Sequence, residues 1–392
     1  MKNVVVLSGA RTAIGDYSGA LKDVTPATLA TITIREAITR ANVDPDKVRH
    51  LVAGHVIPTE AQDMYLARVA ALKAGLPQSV AALTLNRICG SGLQAIISAA
   101  QAIQLGDTEI AIAAGTESMS RGGYLLPALR WGQRMQNSTA IDMMVGALTD
   151  PFDQVHMGIT AENIAEKWRI TREQQDQFAL ESHRRAIHAI HNNYFCEQIV
   201  PVEIPTREGV VIFNTDQHPR NNISMETLGK LRPVFRENGT ITAGNASGIN
   251  DGAAALVLME EHAARLEHHQ PIARLVAYGH AGVDPRYMGI GPVPAVRQAL
   301  NRAGLCLADM DVIESNEAFA AQAYAVAHEL GFDPNKVNPN GGAVALGHPI
   351  GASGCILAIK AIYELQRING RYALVTLCIG GGQGIAAIFE KL

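Results

Sequence analysis

The chain has 392 residues, is 47% hydrophobic and only 18% charged, and carries a formal net charge of −4. That length exceeds one ordinary core, so two or three subdomains are expected, and the low charged fraction argues for a large buried core and a buried subunit interface. No global field draws in nucleic acid or an anionic membrane, so an anionic ligand must be held by local Arg or Lys.

The run Met1–Ser8 is too short for a signal peptide and reads as a first strand. No apolar stretch approaches the about 18 residues of a membrane span. A helix is predicted over Thr28–Ala41, then a strand over Leu51–Ala53, a helix over Ser91–Leu105 and a strand over Ile110–Ala114. Past a long middle stretch with a helix at Thr171–His191, the rhythm resumes. Strands at Ala273–Ala277, Val312–Glu314 and Ala373–Leu377 alternate with helices at Val293–Ala303 and Ala352–Leu365. The pattern is α/β. The C-terminal Phe389-Glu390-Lys391-Leu392 departs from a peroxisomal Ser-Lys-Leu tripeptide, and a cytoplasmic protein is expected.

The two ends resemble each other. Arg35–Ala41 lines up with Arg297–Ala303, 262 positions later. Each copy is followed by an Asp-rich turn and a strand (Val48–Gly54, Met310–Asn316), and the helix–strand pair at Ser91–Ala114 recurs at Ala352–Leu377. A duplication explains the shared order. The segment 119–248 breaks it, with Trp131, Trp168 and polar loops such as Asn214–Ser224, and reads as an insertion suited to substrate recognition and subunit contact. Its Arg121, Arg130 and Arg134 read as a solvated face or a subunit contact. The expected division is 1–118, rejoined by 249–270, then 119–248, then 271–392.

Five cysteines (89, 196, 306, 355 and 378), scattered and without C-x-x-C spacing, indicate free thiols in a reducing compartment. Two of them sit in glycine-rich turns: Cys89 in Asn86-Arg87-Ile88-Cys89-Gly90-Ser91-Gly92, and Cys378 in Cys378-Ile379-Gly380-Gly381-Gly382. A third such turn, Gly347-His348-Pro349-Ile350-Gly351, supplies an imidazole. Two thiols and an imidazole on strand–turn tips fit covalent acyl chemistry coupled to proton transfer, next to a thioester. Cys89 directly precedes a helix whose N-terminus favours a thiolate; a buried core cysteine is the competing reading, which the following Gly-Ser-Gly disfavours. No P-loop or G-x-G-x-x-G occurs, which excludes nucleotide hydrolysis built on those loops.

Together with Asn316-Glu317-Ala318-Phe319 and Asn338-Pro339-Asn340-Gly341-Gly342, these motifs resemble, in order and over essentially the whole length, those of the thiolases. The likeness is to the bacterial short-chain β-ketothiolase and acetyl-CoA acetyltransferase branch, whose pantetheine-contacting loop His156–Asn163 resembles. The resemblance implies two α/β halves in a five-layer αβαβα sandwich, a central loop-domain insertion over the site, and a homotetramer built from dimers. It implies ping-pong transfer of an acyl group from coenzyme A to Cys89, then attack by a second acetyl-CoA deprotonated by Cys378. A free thiol, with a pKa of about 8.5, suits that proton exchange. His348 would activate Cys89 and donate to the thioester oxygen, while Asn316 would hold a water completing that first oxyanion site. The N–H groups of Cys89 and Gly380 would form a second one.

By the same resemblance Ser247 and Ala243 meet the pantetheine arm and His156 and Met157 line its tunnel. Leu148, Phe235, Met288 and Phe319 would line the acyl and pantetheine pocket, with Ala318 among the substrate-binding residues. Arg220 would meet the nucleotide phosphate, although a solvated loop Arg fits it nearly as well. Coenzyme A is substrate and product; no metal or redox cofactor is implied. Ser315 stands where the family usually has alanine, and its hydroxyl is expected either to alter the hydrogen bonding of Asn316 or to satisfy a backbone group. The competing readings are a ketoacyl synthase, disfavoured by Cys378, a longer-chain degradative thiolase, and a non-catalytic carrier of coenzyme A or lipid.

Overall fold

The computed structural model describes residues 2–392, and its architecture follows from the internal repeat. In the first half, strands β1 (Val4–Arg11), β2 (His50–Gly54), β3 (Ala81–Leu85), β4 (Ile110–Ser118) and β5 (Asn250–Glu260) pair in the order β3-β2-β4-β5-β1. Helices α1 (Pro26–Ala41), α2 (Leu66–Lys73) and α3 (Ser91–Leu105) flank them. Between β4 and β5 run the longer helices α4 (Met157–Lys167) and α5 (Arg172–His191), with two small hairpins. The second half holds β6 (Ala273–Gly282), α6 (Pro292–Ala303), β7 (Val312–Ser315), α7 (Ala320–Leu330), α8 (Ser353–Ile368), β8 (Tyr372–Ile379) and β9 (Gln383–Lys391).

Its strand order, β7-β8-β9-β6, repeats that of the first half, and a parallel bridge from Ile313 to Val337 takes the place of β3. Position by position, Ser91 and Ser353 start equivalent helices and Ile110 and Tyr372 start equivalent strands, both 262 residues apart. Val4–Val6 of β1 pair with Ala273–Leu275 of β6, which joins the two sheets along one short edge.

Alternation within the strands decides the layering. Val52 and Ala113 point to one face, Leu51 and Ile112 to the other, and both faces are buried, as in sheets covered by helices on both sides. Leu93, Ile96 and Ile97 of α3 and Ile356, Ile359 and Ile362 of α8 fill the space between the sheets. Ile34 and Ile38 of α1 with Leu66 of α2 cover the outer face of the first sheet. Val293, Val296 and Leu300 of α6 with Val326 of α7 cover the outer face of the second. The result is the expected five-layer αβαβα sandwich.

The central helices approach so closely that only glycine fits where they cross. A Cβ on Gly92 would lie 2.7 Å from the Cys355 nitrogen, and one on Gly354 would lie 2.0 Å from the Leu93 nitrogen. Two expectations are corrected here. The stretch Ile88–Leu105 is in fact long and apolar enough to cross a membrane, but it is α3 with the last three residues of the turn before it, mostly buried. And β3, β5 and β9, absent from the sequence reading, are strands.

Candidate active site

Four functional turns lie at the C-terminal ends of strands or just before helices, where α/β sheets open toward ligands. The turn after β3 carries Cys89 into α3, Asn316 follows β7 directly, the turn before α8 carries His348, and Cys378 is the penultimate residue of β8. Cys89, His348, Cys378 and Gly380 all line one cavity of about 300 Å³. The same cavity is lined by Leu148, His156, Met157, Phe235, Ala243, Ser247, Met288, Ala318 and Phe319, so these positions converge as well. Arg220 does not line it; it is exposed, and its backbone N–H donates to His183 Nδ1 at 3.1 Å.

The Cys89 turn is tied internally. Asn86 Oδ1 accepts from the Ile88 N–H (2.9 Å), and the Ser91 hydroxyl accepts from the Arg87 N–H (2.8 Å) and donates to the Ile88 carbonyl (2.7 Å). This forces Ile88 into the left-handed region at φ 45°, an unusual state for a β-branched residue, next to the nucleophile. The helix does not lend its N-terminus to the thiol as expected, because the N–H groups of Gly90 and Ser91 are spent on the carbonyls of Arg87 and Ile88. Burial pushes the Cys89 thiol up to about 11, against the opposing N–H groups of Gly380 and Cys89 itself, and Glu117 adds to the rise. Burial likewise pushes Cys378 far above the ordinary thiol value, and the nearby Cys89 charge pushes it further. Both thiols therefore rest protonated, which corrects the expected near-neutral exchange at Cys378.

His348 supplies the counterpart. It is 5% exposed, and burial lowers its pKa to about 4, so the ring is neutral at pH 7. Its tautomer follows from proton counting. The Ser353 hydroxyl donates to the Pro349 carbonyl (2.9 Å), so at 2.6 Å from His348 Nδ1 it accepts, and Nδ1 carries the hydrogen. Nε2 is left with a lone pair, toward which Asn316 Nδ2 donates at 3.3 Å. Asn316 thus meets the imidazole directly. Asn250 Oδ1 accepts from the His348 N–H (2.9 Å) and fixes the turn from below.

Around the cavity, His156 caps α4 through Nδ1 to the Gly158 N–H (3.0 Å) and stacks on Phe235, ring centroids 4.6 Å apart. The Ser247 hydroxyl donates to the Ala318 carbonyl (3.0 Å), which keeps its lone pairs free to accept. Glu317 accepts from Ser182 (2.6 Å), Asn338 (2.7 Å) and the Val344 N–H (3.1 Å) and so anchors the turn after Asn316. The Ser315 hydroxyl does neither thing expected of it: buried, it has no hydrogen-bond partner among the described residues. Sequence reasoning gave no role to Ser353, Asn250, Met119 or Ile350, although the last two line the cavity. The signal for Ser353 was available, since it sits 262 positions after Ser91, which closes the other turn.

A neutral thiol and a neutral base on one cavity wall, two main-chain donors at the sulfur and a second thiol beside it define a cysteine-dependent acyl-transfer centre. Comparison with known proteins agrees. The thiolase N-terminal domain model matches residues 4–262 and the thiolase C-terminal domain model matches residues 269–391. The chain belongs to the thiolase family. It is 61% identical to beta-ketothiolase BktB of Cupriavidus necator and 48% identical to the acetyl-CoA acetyltransferase of Escherichia coli, each over 100% of both chains. Its structure superposes with TM-score 0.97 on human mitochondrial 3-ketoacyl-CoA thiolase in complex with CoA, at 42% identity, covering 100% of this chain and 98% of that one.

Proposed function

We propose that this thiolase is an acetyl-CoA C-acetyltransferase, a β-ketothiolase that joins acetyl-CoA to an acyl group held on Cys89 and releases 3-ketoacyl-CoA and CoA, reversibly. The observation that carries the reading is the convergence of Cys89, His348 and Cys378 on one cavity. Its modest volume and apolar lining suit a short acyl chain and the thin pantetheine arm.

His348 Nε2 takes the Cys89 proton as the sulfur attacks the thioester, and the Cys378 thiol gives its proton to the departing CoA sulfur. The N–H groups of Cys89 and Gly380, which meet the resting sulfur, are in position for the oxyanion that develops beside it. In the second stage the Cys378 thiolate so formed removes a proton from the α-carbon of acetyl-CoA, and the His348 imidazolium Nε2–H, beside Asn316, donates to the enolate oxygen. The carbanion then attacks the acyl-Cys89 carbonyl, and Cys89 leaves as it takes its proton back from the His348 imidazolium. The coupling between the thiols orders these stages. A Cys89 thiolate suppresses ionisation of Cys378, and acylation removes that charge at the point where Cys378 has to act as base.

We read Ser247, Ala243, His156 and Met157 as the pantetheine wall, Leu148, Phe235, Met288, Ala318 and Phe319 as the acyl wall, and Arg220 as a phosphate contact at the mouth. The segments 1–118 with 249–270, 119–248 and 271–392 are read as first half, loop domain and second half. The exposed apolar arm with Tyr124, Leu125, Leu126, Leu129 and Trp131, the last 89% exposed, supports an assembly of dimers into a tetramer. The cytoplasm is the proposed compartment.

The test is thiolysis by CoA of 3-ketoacyl-CoA substrates from four carbons upward, with acetyl labelling of variants. Cleavage strongest for the shortest substrates is expected. Cys89→Ala should take up no label, and Cys378→Ala should be labelled yet make no 3-ketoacyl-CoA. Absence of thiolysis in the unmodified protein, or label on Cys89→Ala, overturns the reading.

A further inference from the structure

We infer that Glu117 is a positioning residue for the acyl-transfer reaction, a buried carboxylate that holds the nucleophile turn and the base turn at a fixed separation; this rests on the proposed function. Glu117, at the end of β4, is wholly buried, and its only ionisable neighbour at ion-pair distance among the described residues is His55, Nδ1 to Oε1 at 3.3 Å. A solvent-free carboxylate without Lys or Arg is costly to keep unless hydrogen bonds satisfy it. Three main-chain donors do so: Val56 N–H (3.2 Å) and Gly351 N–H (2.9 Å) to Oε2, and Ile57 N–H (3.1 Å) to Oε1.

These donors come from different halves of the molecule. Gly351 belongs to the turn that carries His348, whereas Val56 and Ile57 follow β2. The Val56 carbonyl accepts from Asn86 Nδ2 (3.3 Å), and Asn86 Oδ1 accepts from the Ile88 N–H (2.9 Å), next to Cys89. One chain of hydrogen bonds thus runs from the nucleophile turn through Val56 and Glu117 to the base turn. The side chains of Val56, Ile57, Ile88, Cys89, Met119 and Ile350 pack together around it. The fit is tight, since a Cβ on Gly351 would lie 2.6 Å from Glu117 Oε2.

The charge of Glu117 opposes a Cys89 thiolate, so activation of the nucleophile does not explain it. What the carboxylate offers is a second acceptor: Oε2 takes the N–H groups of both turns, Val56 and Gly351, while Oε1 takes that of Ile57. An amide of the same shape has one oxygen, and its NH₂ faces an N–H donor on the other side.

The experiment measures the burst of CoA released when acetyl-CoA meets the unmodified protein, Glu117→Gln, Glu117→Asp and Gly351→Ala. Titration of Cys89 with iodoacetamide counts the folded, competent sites. Displacing Cys89 from His348 by a fraction of an ångström to 1 Å is expected to slow acylation per titratable Cys89 by about 100-fold in Glu117→Gln, with KM for acetyl-CoA changed by no more than about twofold. Gly351→Ala, which crowds the same contact from the other turn, should show the same split between kcat and KM. Glu117→Asp, which keeps both oxygens, should recover part of the rate. A normal burst rate in Glu117→Gln, or a loss that only tracks the fraction of competent sites in all three variants, overturns the proposal. An inactive unmodified protein counts against the thiolase reaction instead.

Discussion

Ser353→Ala isolates the tautomer of His348. The Ser353 hydroxyl is the acceptor for His348 Nδ1–H at 2.6 Å, in a site where His348 is 5% and Ser353 4% exposed. Removing it leaves a buried donor without a partner, a cost of about 1–3 kcal/mol. The ring can escape that cost by moving its hydrogen to Nε2. There it meets Asn316 Nδ2, 3.3 Å away and itself a donor, or the amide turns over to accept from it. Either way Nε2 no longer has the lone pair that takes the Cys89 proton. At about 1.4 kcal/mol per factor of ten, acylation slows by about 5- to 150-fold. The assay is the rate of the first CoA release on rapid mixing with acetyl-CoA, with Ser353→Thr as the variant that keeps the hydroxyl. A Ser353→Ala burst within about twofold of the unmodified rate would show that the hydroxyl does not set the base.

Acid should unfold the protein through His348. Its pKa is about 4 folded and about 6.5 unfolded, so between those values the unfolded chain binds more protons, and stability falls as pH drops from 6.5 to 4, by about 3 kcal/mol for this residue. Urea midpoints at several pH values check this, and His348→Asn should flatten the profile. At Gly158 an added Cβ would lie 2.2 Å from the Phe235 ring, so Gly158→Ala should cost about 1–3 kcal/mol by overpacking, displace the His156–Phe235 stack and raise KM for acyl-CoA more than it lowers kcat. Burial pushes Glu314 up to about 7 even though Lys360 Nζ lies 2.8 Å away. Lys360→Met should therefore cost about 3–5 kcal/mol in denaturant melts, with Glu314→Gln added to it restoring much of the loss.

The chemistry was legible because it sits on residue types that glycine turns advertise. Cys89, His348 and Cys378 stand beside glycines that the backbone needs in order to reach the site, and Asn316 begins a short motif after a clear β-branched strand. The ionisation of these groups was not legible. A thiol before a helix reads as an activated thiolate, whereas here the first N–H groups turn back on the carbonyls of their own turn and burial wins. Strand β5 was missed because Asn-Asp-Gly-Ala-Ala-Ala has poor strand propensity and no alternation. It is nonetheless paired on both sides, with β1 and β4, where tertiary pairing overrides local preference. Arg220 shows the opposite limit: a charge on an exposed loop has no periodicity or packing to say what it faces.

The crossing of α3 and α8 at Gly92 and Gly354 juxtaposes two copies of one turn, Asn86–Ser91 and His348–Ser353. In that register Asn86 corresponds to His348, Cys89 to Gly351 and Ser91 to Ser353. Two identical subunits meeting by the same contact would have to present the same residue twice, because each side of such an interface repeats the other. Joining the copies in one polypeptide removes that restriction, and one copy carries the nucleophile where its counterpart has only hydrogen in place of a side chain. The labour of acyl transfer is divided by broken symmetry, and neither half holds a complete site by itself.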